Sequence, residues 1–297
     1  MALQMVGLLS PGDMGHVVGR VLIDHGMPVL TCLEGRSERT RALAQKAGIK
    51  EVASYGELVR DTTIILSIVV PAEAEKTARM IAQDLIETGE RVVYVDCNAI
   101  APATVRSIGE IIRGTGSRFV DAGIIGPPPR QKGTTRFYAS GKDAGAFEAL
   151  SEYGLEVMVI GSEIGQASGF KMTYAALTKG IAALSTELLV AAWQMGFYDA
   201  LVEEFQFSQA ERYASMKRGL PLITTKARRW VGEMEEIAKT LGDLGLTPRI
   251  YQGAADVYRF VSESSLADET PETLDTNRTL AQMIEILSER LEESAKE

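Results

Sequence analysis

Apolar residues along the first 160 positions fall into short runs separated by amphipathic stretches. β-Rich runs occupy 4–9, 28–33, 63–70, 91–96, 118–122 and 135–140, with a last short one near 157–160. Between them, 14–26, 38–48, 72–89 and 102–114 carry apolar positions at helical spacing and close on glycine, a residue that readily ends a helix. This alternation predicts βαβ units and a largely parallel sheet covered on both faces, a doubly wound α/β domain. After Gly165 the period changes. Apolar positions recur at three and four, as in Met234, Ile237, Leu241 and Leu244, and no further convincing strand follows, so the second half reads as all-helical. Its expected breaks are Gly219-Leu220-Pro221, Gly245-Leu246-Thr247-Pro248 and Asp268-Glu269-Thr270-Pro271, the last with Thr270 as N-cap and Pro271 at the first helical position. The expected division is 1–163 for the α/β domain and 164–297 for a helical domain that begins with a long helix over about 166–195.

Composition and charge narrow the function classes. With 45% hydrophobic and 24% charged residues in 297, the chain is that of a folded globular protein. A net charge of −9 with no Lys/Arg cluster argues against a nucleic-acid partner, which needs a concentrated basic face. Cys32 and Cys97 lie in apolar strand-like runs and read as packing thiols of a reducing compartment. His16 and His25 show no ligand spacing, so no metal site is expected. The apolar start lacks a basic flank and a cleavage site, which makes the cytoplasm the expected location. Lys171, Lys179 and Glu187 interrupt the apolar stretch 165–194 before it reaches the ~20 uncharged residues of a membrane span.

Chemistry first appears at Ser10-Pro11-Gly12-Asp13-Met14-Gly15, between the first strand and the first helix. In that context Gly12 lets backbone approach a pyrophosphate, Gly15 lets the helix pack on the strand, and the free N–H groups of the helix start hold the anion. The turn therefore predicts a dinucleotide-binding Rossmann domain, against the plainer reading of a tight strand-to-helix turn. Ser10 stands where the pattern has its first glycine. At the end of the second strand an acid would bond the ribose hydroxyls and an arginine would accept a 2′-phosphate. Leu33 falls at the acid's usual place, Glu34 is displaced by one, and Arg36-Ser37 reads as a phosphate-binding pair, so the balance favours NADP(H) over NAD(H). Arg36 as a solvated loop residue is the alternative.

Four segments, in order, resemble the β-hydroxyacid dehydrogenase superfamily of 3-hydroxyisobutyrate dehydrogenase and the 6-phosphogluconate dehydrogenase NAD-binding domain. The likeness covers about residues 5–195. The first segment is Pro11-Gly12-Asp13-Met14-Gly15, like the family's glycine-x-glycine-x-methionine-glycine. Val95-Asp96-Cys97-Asn98-Ala99-Ile100-Ala101-Pro102 is the second. The third, Phe119-Val120-Asp121-Ala122-Gly123-Ile124-Ile125-Gly126-Pro127, is similar to the family's substrate loop, aspartate-alanine-proline-valine-serine-glycine-glycine. The fourth, Gly165-Gln166-Ala167-Ser168-Gly169-Phe170-Lys171, resembles the approach to its catalytic lysine. The chain departs from the pattern where substrate would be held: Ile125 replaces the serine, Pro127 the second glycine, and Ala175 the asparagine four residues after the lysine. The C-terminal hundred residues, including Arg229-Trp230-Val231-Gly232-Glu233-Met234, resemble the helical domain of a 6-phosphogluconate-dehydrogenase-like subgroup. The resemblance implies a homodimer.

On this footing Lys171 is the candidate general acid/base. A free lysine with a pKa of ~10.4 stays charged at neutral pH, while burial on an apolar helix disfavours the charged form; a lysine that merely snorkels to the surface is the plainer reading. Tyr174, at three residues, could replace the missing asparagine or simply pack. Val70 and Pro71 are expected to line the nicotinamide side. Asn98 either bonds ligand or makes an Asx turn before the helix at Pro102. Gly123, Ile125, Gly126 and Pro127 form the expected substrate wall, stiffened by the proline run. Lys217, Arg218, Arg228, Arg229, Arg249 and Arg259 are candidates for an anionic substrate. The expected function is NAD(P)-dependent oxidation or reduction of a small hydroxy acid or related alcohol. An imine or ketone reductase, and a cofactor-binding sensor without turnover, remain alternatives.

Overall fold

The computed structural model describes residues 4–294, with side chains through Leu291. It divides into two compact units, Met1–Thr173 and Tyr174–Glu297.

In the first unit the strands β1 (Val6–Leu9), β2 (Val29–Cys32), β3 (Lys50–Val52), β4 (Ile64–Ser67), β5 (Val93–Asp96), β6 (Arg118–Ile125), β7 (Arg136–Ser140) and β8 (Val157–Gly161) form one sheet in the order β3-β2-β1-β4-β5-β6-β7-β8. The six strands from β3 to β6 run parallel, β7 lies antiparallel to β6, and β8 runs parallel to β7. The helices are α1 (Gly15–Asp24), α2 (Glu38–Ala47), α3 (Tyr55–Asp61), α4 (Ala74–Thr88), α5 (Pro102–Arg113) and α6 (Ala144–Glu148). Alternate strand residues divide the core into two clusters. Val6, Leu8, Ile64, Leu66, Val93 and Val95 pack on one side with Val18 and Leu22 of α1. Leu9, Ile65, Tyr94 and Phe119 pack in the other with Leu58, Ile81, Leu85 and Ile108 of α3, α4 and α5. Fully buried parallel strands need both faces covered, which is why these runs are almost wholly apolar. Cys32 and Cys97 are buried, unpaired packing residues of this core.

This is the expected doubly wound domain, with three short elements the sequence pattern did not show, β3, α3 and the five-residue α6. β3 has three residues, two of them exposed, and α3 only seven, so none of the three is long enough to display a period. The strand β6 also runs to Ile125, three residues past its expected end, because β7 pairs with it there.

The helix α7 (Gln166–Gln194) follows Gly165, whose φ of +104° breaks the preceding chain direction. Among the described residues it is long and apolar enough to cross a membrane, with a mean hydropathy of 1.4 over its most apolar window, yet half of that window is buried within the protein. The second unit continues with α8 (Tyr198–Ser208), α9 (Ala210–Gly219), α10 (Ala227–Asp243), α11 (Arg249–Ser262) and α12 (Leu280–Ser294). Met234, Ile237 and Ala238 of α10 are buried, as are Ala254, Ala255 and Tyr258 of α11. Lys179 forms a buried ion pair with Glu233, which Arg229 also approaches at 3.2 Å.

The expected helix start at Thr270-Pro271 is corrected. Thr270 closes only a short turn, accepting from the Thr273 and Leu274 amides, and α12 begins ten residues later at Leu280. Its start is a reciprocal capping box: Thr279 Oγ1 accepts from the Gln282 amide while Gln282 Oε1 accepts from the Thr279 amide. Pro271 supplied the fixed φ but no apolar period follows it until Leu280.

Candidate active site

The parallel strands β1, β4, β5 and β6 all end at one edge of the sheet, and the segments that follow them gather the candidate residues there. After β1, Ser10 adopts φ +65°, a left-handed conformation otherwise restricted to glycines among the described residues. Its carbonyl accepts from the Gly12 amide at 2.8 Å. A Cβ on Gly15 would stand 2.6 Å from that same carbonyl oxygen, so the turn can close only with glycine there. Gly12 differs: a Cβ there would meet nothing within 4 Å. Its bareness serves no contact inside the protein and leaves room for a ligand. α1 has no side-chain cap, so no side chain of its own competes for the amides at the start of the helix. Below the turn, burial holds the His16 imidazole below its usual range, and its Nδ1–H donates to the Gly12 carbonyl at 2.7 Å. These features fit a dinucleotide pyrophosphate. Pro11 is buried, Met14 packs on the core, and Asp13 is tied to Arg39 of α2 at 2.5 Å.

Past β2, Glu34 is exposed. Arg36 is half-buried; its guanidinium donates to the Tyr55 hydroxyl at 3.4 Å, while its Nε is buried with no partner. Arg36 is thus drawn in against Tyr55 rather than fully exposed. Ser37 caps α2 by accepting from the Thr40 amide at 3.3 Å.

Asn98, expected to reach a ligand, is 2% exposed and braces two strand ends. Its Oδ1 accepts from the Val69 amide at 2.6 Å, its Nδ2 donates to Ser67 Oγ at 3.1 Å, and its own amide donates to Asp96 Oδ1 at 2.9 Å. The last contact is an Asx turn closed by Asp96, whereas the Asn98 side chain itself is spent on Val69 and Ser67 rather than on a turn before the Pro102 helix. Asn98 thus fixes Val69, and with it the exposed Val70 and the half-buried Pro71 that start the next helix. The Asp96 carboxyl is buried, and desolvation pushes its pKa up to about 7; its Oδ2 has no partner.

β6 and the start of α7 bring the fourth segment to this edge. Lys171 is half-buried and its Nζ donates to the Ile124 carbonyl at 2.6 Å. Gly123 is where helix and strand touch: a Cβ there would lie 2.8 Å from Lys171 Cβ and 3.0 Å from the Ala167 carbonyl. This close approach leaves no room for a side chain at 123. Beyond it Ile125 is half-buried, and Gly126 and Pro127 are exposed. Gly126 has φ +123° and backbone of Thr134 and Thr135 against its missing Cβ, while Thr135 Oγ1 donates to the Pro127 carbonyl, so the loop after β6 is held closed. Tyr174 is exposed, and its hydroxyl bonds none of the described residues. Of the helical-unit cations, Arg228, Arg229 and Arg259 are engaged in ion pairs.

Sequence reasoning passed over Asp121. Its carboxylate, 0% exposed, accepts from Ser140 Oγ at 2.9 Å, the Gly165 amide at 2.8 Å, the Ser168 amide at 3.1 Å and Ser168 Oγ at 2.6 Å. Burial raises its pKa, and the four donors oppose that rise. An acid inside the apolar run Phe119-Val120-Asp121-Ala122 was the available signal, since buried carboxylates must be paired.

The sheet order, the ligand-fitted glycine turn and the convergent strand ends define a dinucleotide-binding α/β protein. Residues 4–161 match the NAD binding domain of 6-phosphogluconate dehydrogenase, and the chain belongs to that family. Residues 192–261 match a domain of unknown function (DUF1932). A protein of Methanothermus fervidus described as an uncharacterized 28.5 kDa protein in the 7S RNA 5′ region is 29% identical over 259 residues, 87% of this chain and 99% of that one. Conserved protein MTH1747, of unknown function and with structural similarity to 3-hydroxyacid dehydrogenases, is 31% identical, with a TM-score of 0.66 over 87% of this chain and 97% of its own. Mycobacterium tuberculosis 3-hydroxyisobutyrate dehydrogenase with L-serine shares the fold at TM-score 0.69 and 16% identity, over 96% of this chain and 99% of its own. The reductive aminase from Aspergillus terreus in complex with NADPH does so at 0.54 and 14%, over 93% and 100%.

Proposed function

We propose that the protein is an NAD(P)-dependent oxidoreductase acting on a small hydroxy acid or related alcohol, with Lys171 as general acid/base. The observation that carries this reading is the Lys171 Nζ held 2.6 Å from the Ile124 carbonyl, where β6 ends at the sheet edge that bears the glycine turn. A nicotinamide supplies or accepts the hydride when bound. The turn 10–15 holds the pyrophosphate, and Val70 and Pro71, fixed through Asn98, wall the site. Lys171 as an amine takes the hydroxyl proton during oxidation, and as an ammonium returns it to a carbonyl during reduction. The Ile124 carbonyl keeps the Nζ turned to the strand end. Arg36, with its unpartnered Nε, and Ser37 support NADP(H) over NAD(H).

A reductase of imines or ketones is a second reading. Ile125 and the buried Ala175 leave the family's serine and asparagine hydrogen bonds unmade, and a reductive aminase shares the fold. A screen of hydroxy acids, ketones and ketone–amine pairs with both cofactors, followed at the nicotinamide absorbance, separates the two. Lys171→Ala is expected to lower kcat/KM for any substrate found by ~10²-fold or more, and Arg36→Ala to weaken NADPH more than NADH. Full activity in Lys171→Ala removes the acid/base role. Tight cofactor binding without turnover of any compound would instead indicate a sensor.

Two further readings accompany this one. The unpaired buried cysteines fit the cytoplasm. Exposed Leu177, Ile181 and Leu184 of α7 and Ile250 of α11 line an apolar groove that supports a homodimer.

A further inference from the structure

We infer that Asp121 is the positioning residue of Lys171, fixing the start of α7 to β6 so that the amine meets the strand end. The inference rests on the proposed role of Lys171. The first N–H groups of a helix have no partner within it and are ordinarily satisfied by a side chain just before the helix. Here they are satisfied from the sheet. Asp121, more than forty residues earlier in the chain, accepts from the Gly165 and Ser168 amides and the Ser168 hydroxyl. Ser140 of β7 accepts from the Ala167 amide at 3.0 Å and donates its own hydroxyl hydrogen bond to Asp121. A carboxylate at this place also meets the positive end of the helix dipole.

Three contacts along β6 fall in step with three along α7. Asp121 faces Gly165 and Ser168, Gly123 faces Ala167 and Lys171, and the Ile124 carbonyl receives the Lys171 Nζ. From 121 to 124 a strand advances ~10 Å, and from 165 to 171 a helix advances ~9 Å, so the two elements keep register over this length. Sliding or tilting α7 would break the Asp121 bonds before it moved the amine. The same strand continues into Ile125, Gly126 and Pro127, so Asp121 also sets the distance between Lys171 and the loop that faces substrate.

The test reads Lys171 directly, in the full-length protein. Acetylation of Lys171 by acetic anhydride is timed by mass spectrometry against the exposed Lys50 as internal standard. Asp121→Asn turns one acceptor oxygen into a donor facing other donors, and is expected to raise the relative rate at Lys171 about tenfold, the equivalent of losing one charge-assisted hydrogen bond. Ser168→Ala, which keeps the carboxylate and removes one donor, should give a smaller rise, and NADPH affinity should change less than twofold in both. If Asp121→Asn does not fold, Ser168→Ala and Ser140→Ala carry the comparison. Unchanged Lys171 labelling in the folded variants overturns the inference. Labelling reports the grip on Lys171 whether or not that lysine is catalytic, so loss of the functional reading and loss of this one are told apart. With a substrate in hand, kcat falls in Asp121→Asn while KM holds; a fall in stability alone, with kcat and labelling intact, overturns the positioning role.

Discussion

Ser10 occupies a conformation that costs an ordinary L-residue about 1–2 kcal/mol, and it does so where the family's pattern has glycine. The strain is held by the turn around it, since Gly12 donates to its carbonyl and Gly15 packs against it. The two glycines therefore answer to different demands, and substitution separates them. Gly15→Ala forces a methyl group onto the Ser10 carbonyl and is expected to lower stability by about 1–3 kcal/mol in urea unfolding. Gly12→Ala should leave the unfolding midpoint nearly where it was, because its Cβ meets open space, yet weaken cofactor binding by roughly tenfold or more. A Gly12→Ala protein with unchanged NADPH and NADH affinity would remove the turn from the binding site. The glycine pattern was legible because a pyrophosphate demands it of any sequence. The setting of Arg36 was not, since Tyr55, which its Nη2 meets, lies on a helix too short to read.

Among elements, the strands converge on three polar residues in one row: Ser67 of β4, Asp96 of β5 and Asp121 of β6 are paired in register. β4 and β5 end on their polar residue, while β6 carries Asp121 mid-strand and runs on to Ile125. Asp121 finds four donors there, whereas one oxygen of Asp96 finds none, and its pKa rises to about 7 through burial. The sign for stability follows from proton binding. Between about pH 4 and pH 7 the folded protein keeps a proton that the unfolded chain has released, so this group makes stability fall as pH rises, by up to about 1.4 kcal/mol per unit. Asp96→Asn keeps an acceptor for the Asn98 amide and removes that slope. The variant should gain on its parent from pH 5 to pH 7 in urea midpoints; a constant difference across that range would show that Asp96 is ionised throughout. At the same scale α12 shows the limit of boundary signals. Thr270-Pro271 and Thr279 both offer caps, and only the apolar residues Leu280, Met283, Ile284 and Leu287, all buried, decide which one starts a helix.

At the scale of the whole molecule, α7 carries several demands at once. Its first turns hold Lys171 on β6, Lys179 makes a buried ion pair further along, and Leu177, Ile181 and Leu184 remain exposed. A helix that is apolar on more than one side is buried or has another surface to meet, and the proposed homodimer gives that exposed row its partner. Sedimentation at micromolar concentration is expected to show a dimer, and Leu184→Glu to shift it to monomer without loss of helical signal; a monomeric parent ends this reading. Period and turn chemistry determined much of this protein before any coordinates. Alternating strand and helix give the doubly wound domain and the 10–15 turn its ligand class, because each depends on residues close in sequence, while Lys171 was singled out only through the resemblance of its segment to a known family. What only the tertiary structure decided lies between residues far apart: Asp121 beneath the start of α7, Asn98 spent between Ser67 and Val69, Gly123 against Lys171. Those assignments depend on which buried donor meets which acceptor, and spacing along a chain carries no record of distance across a sheet.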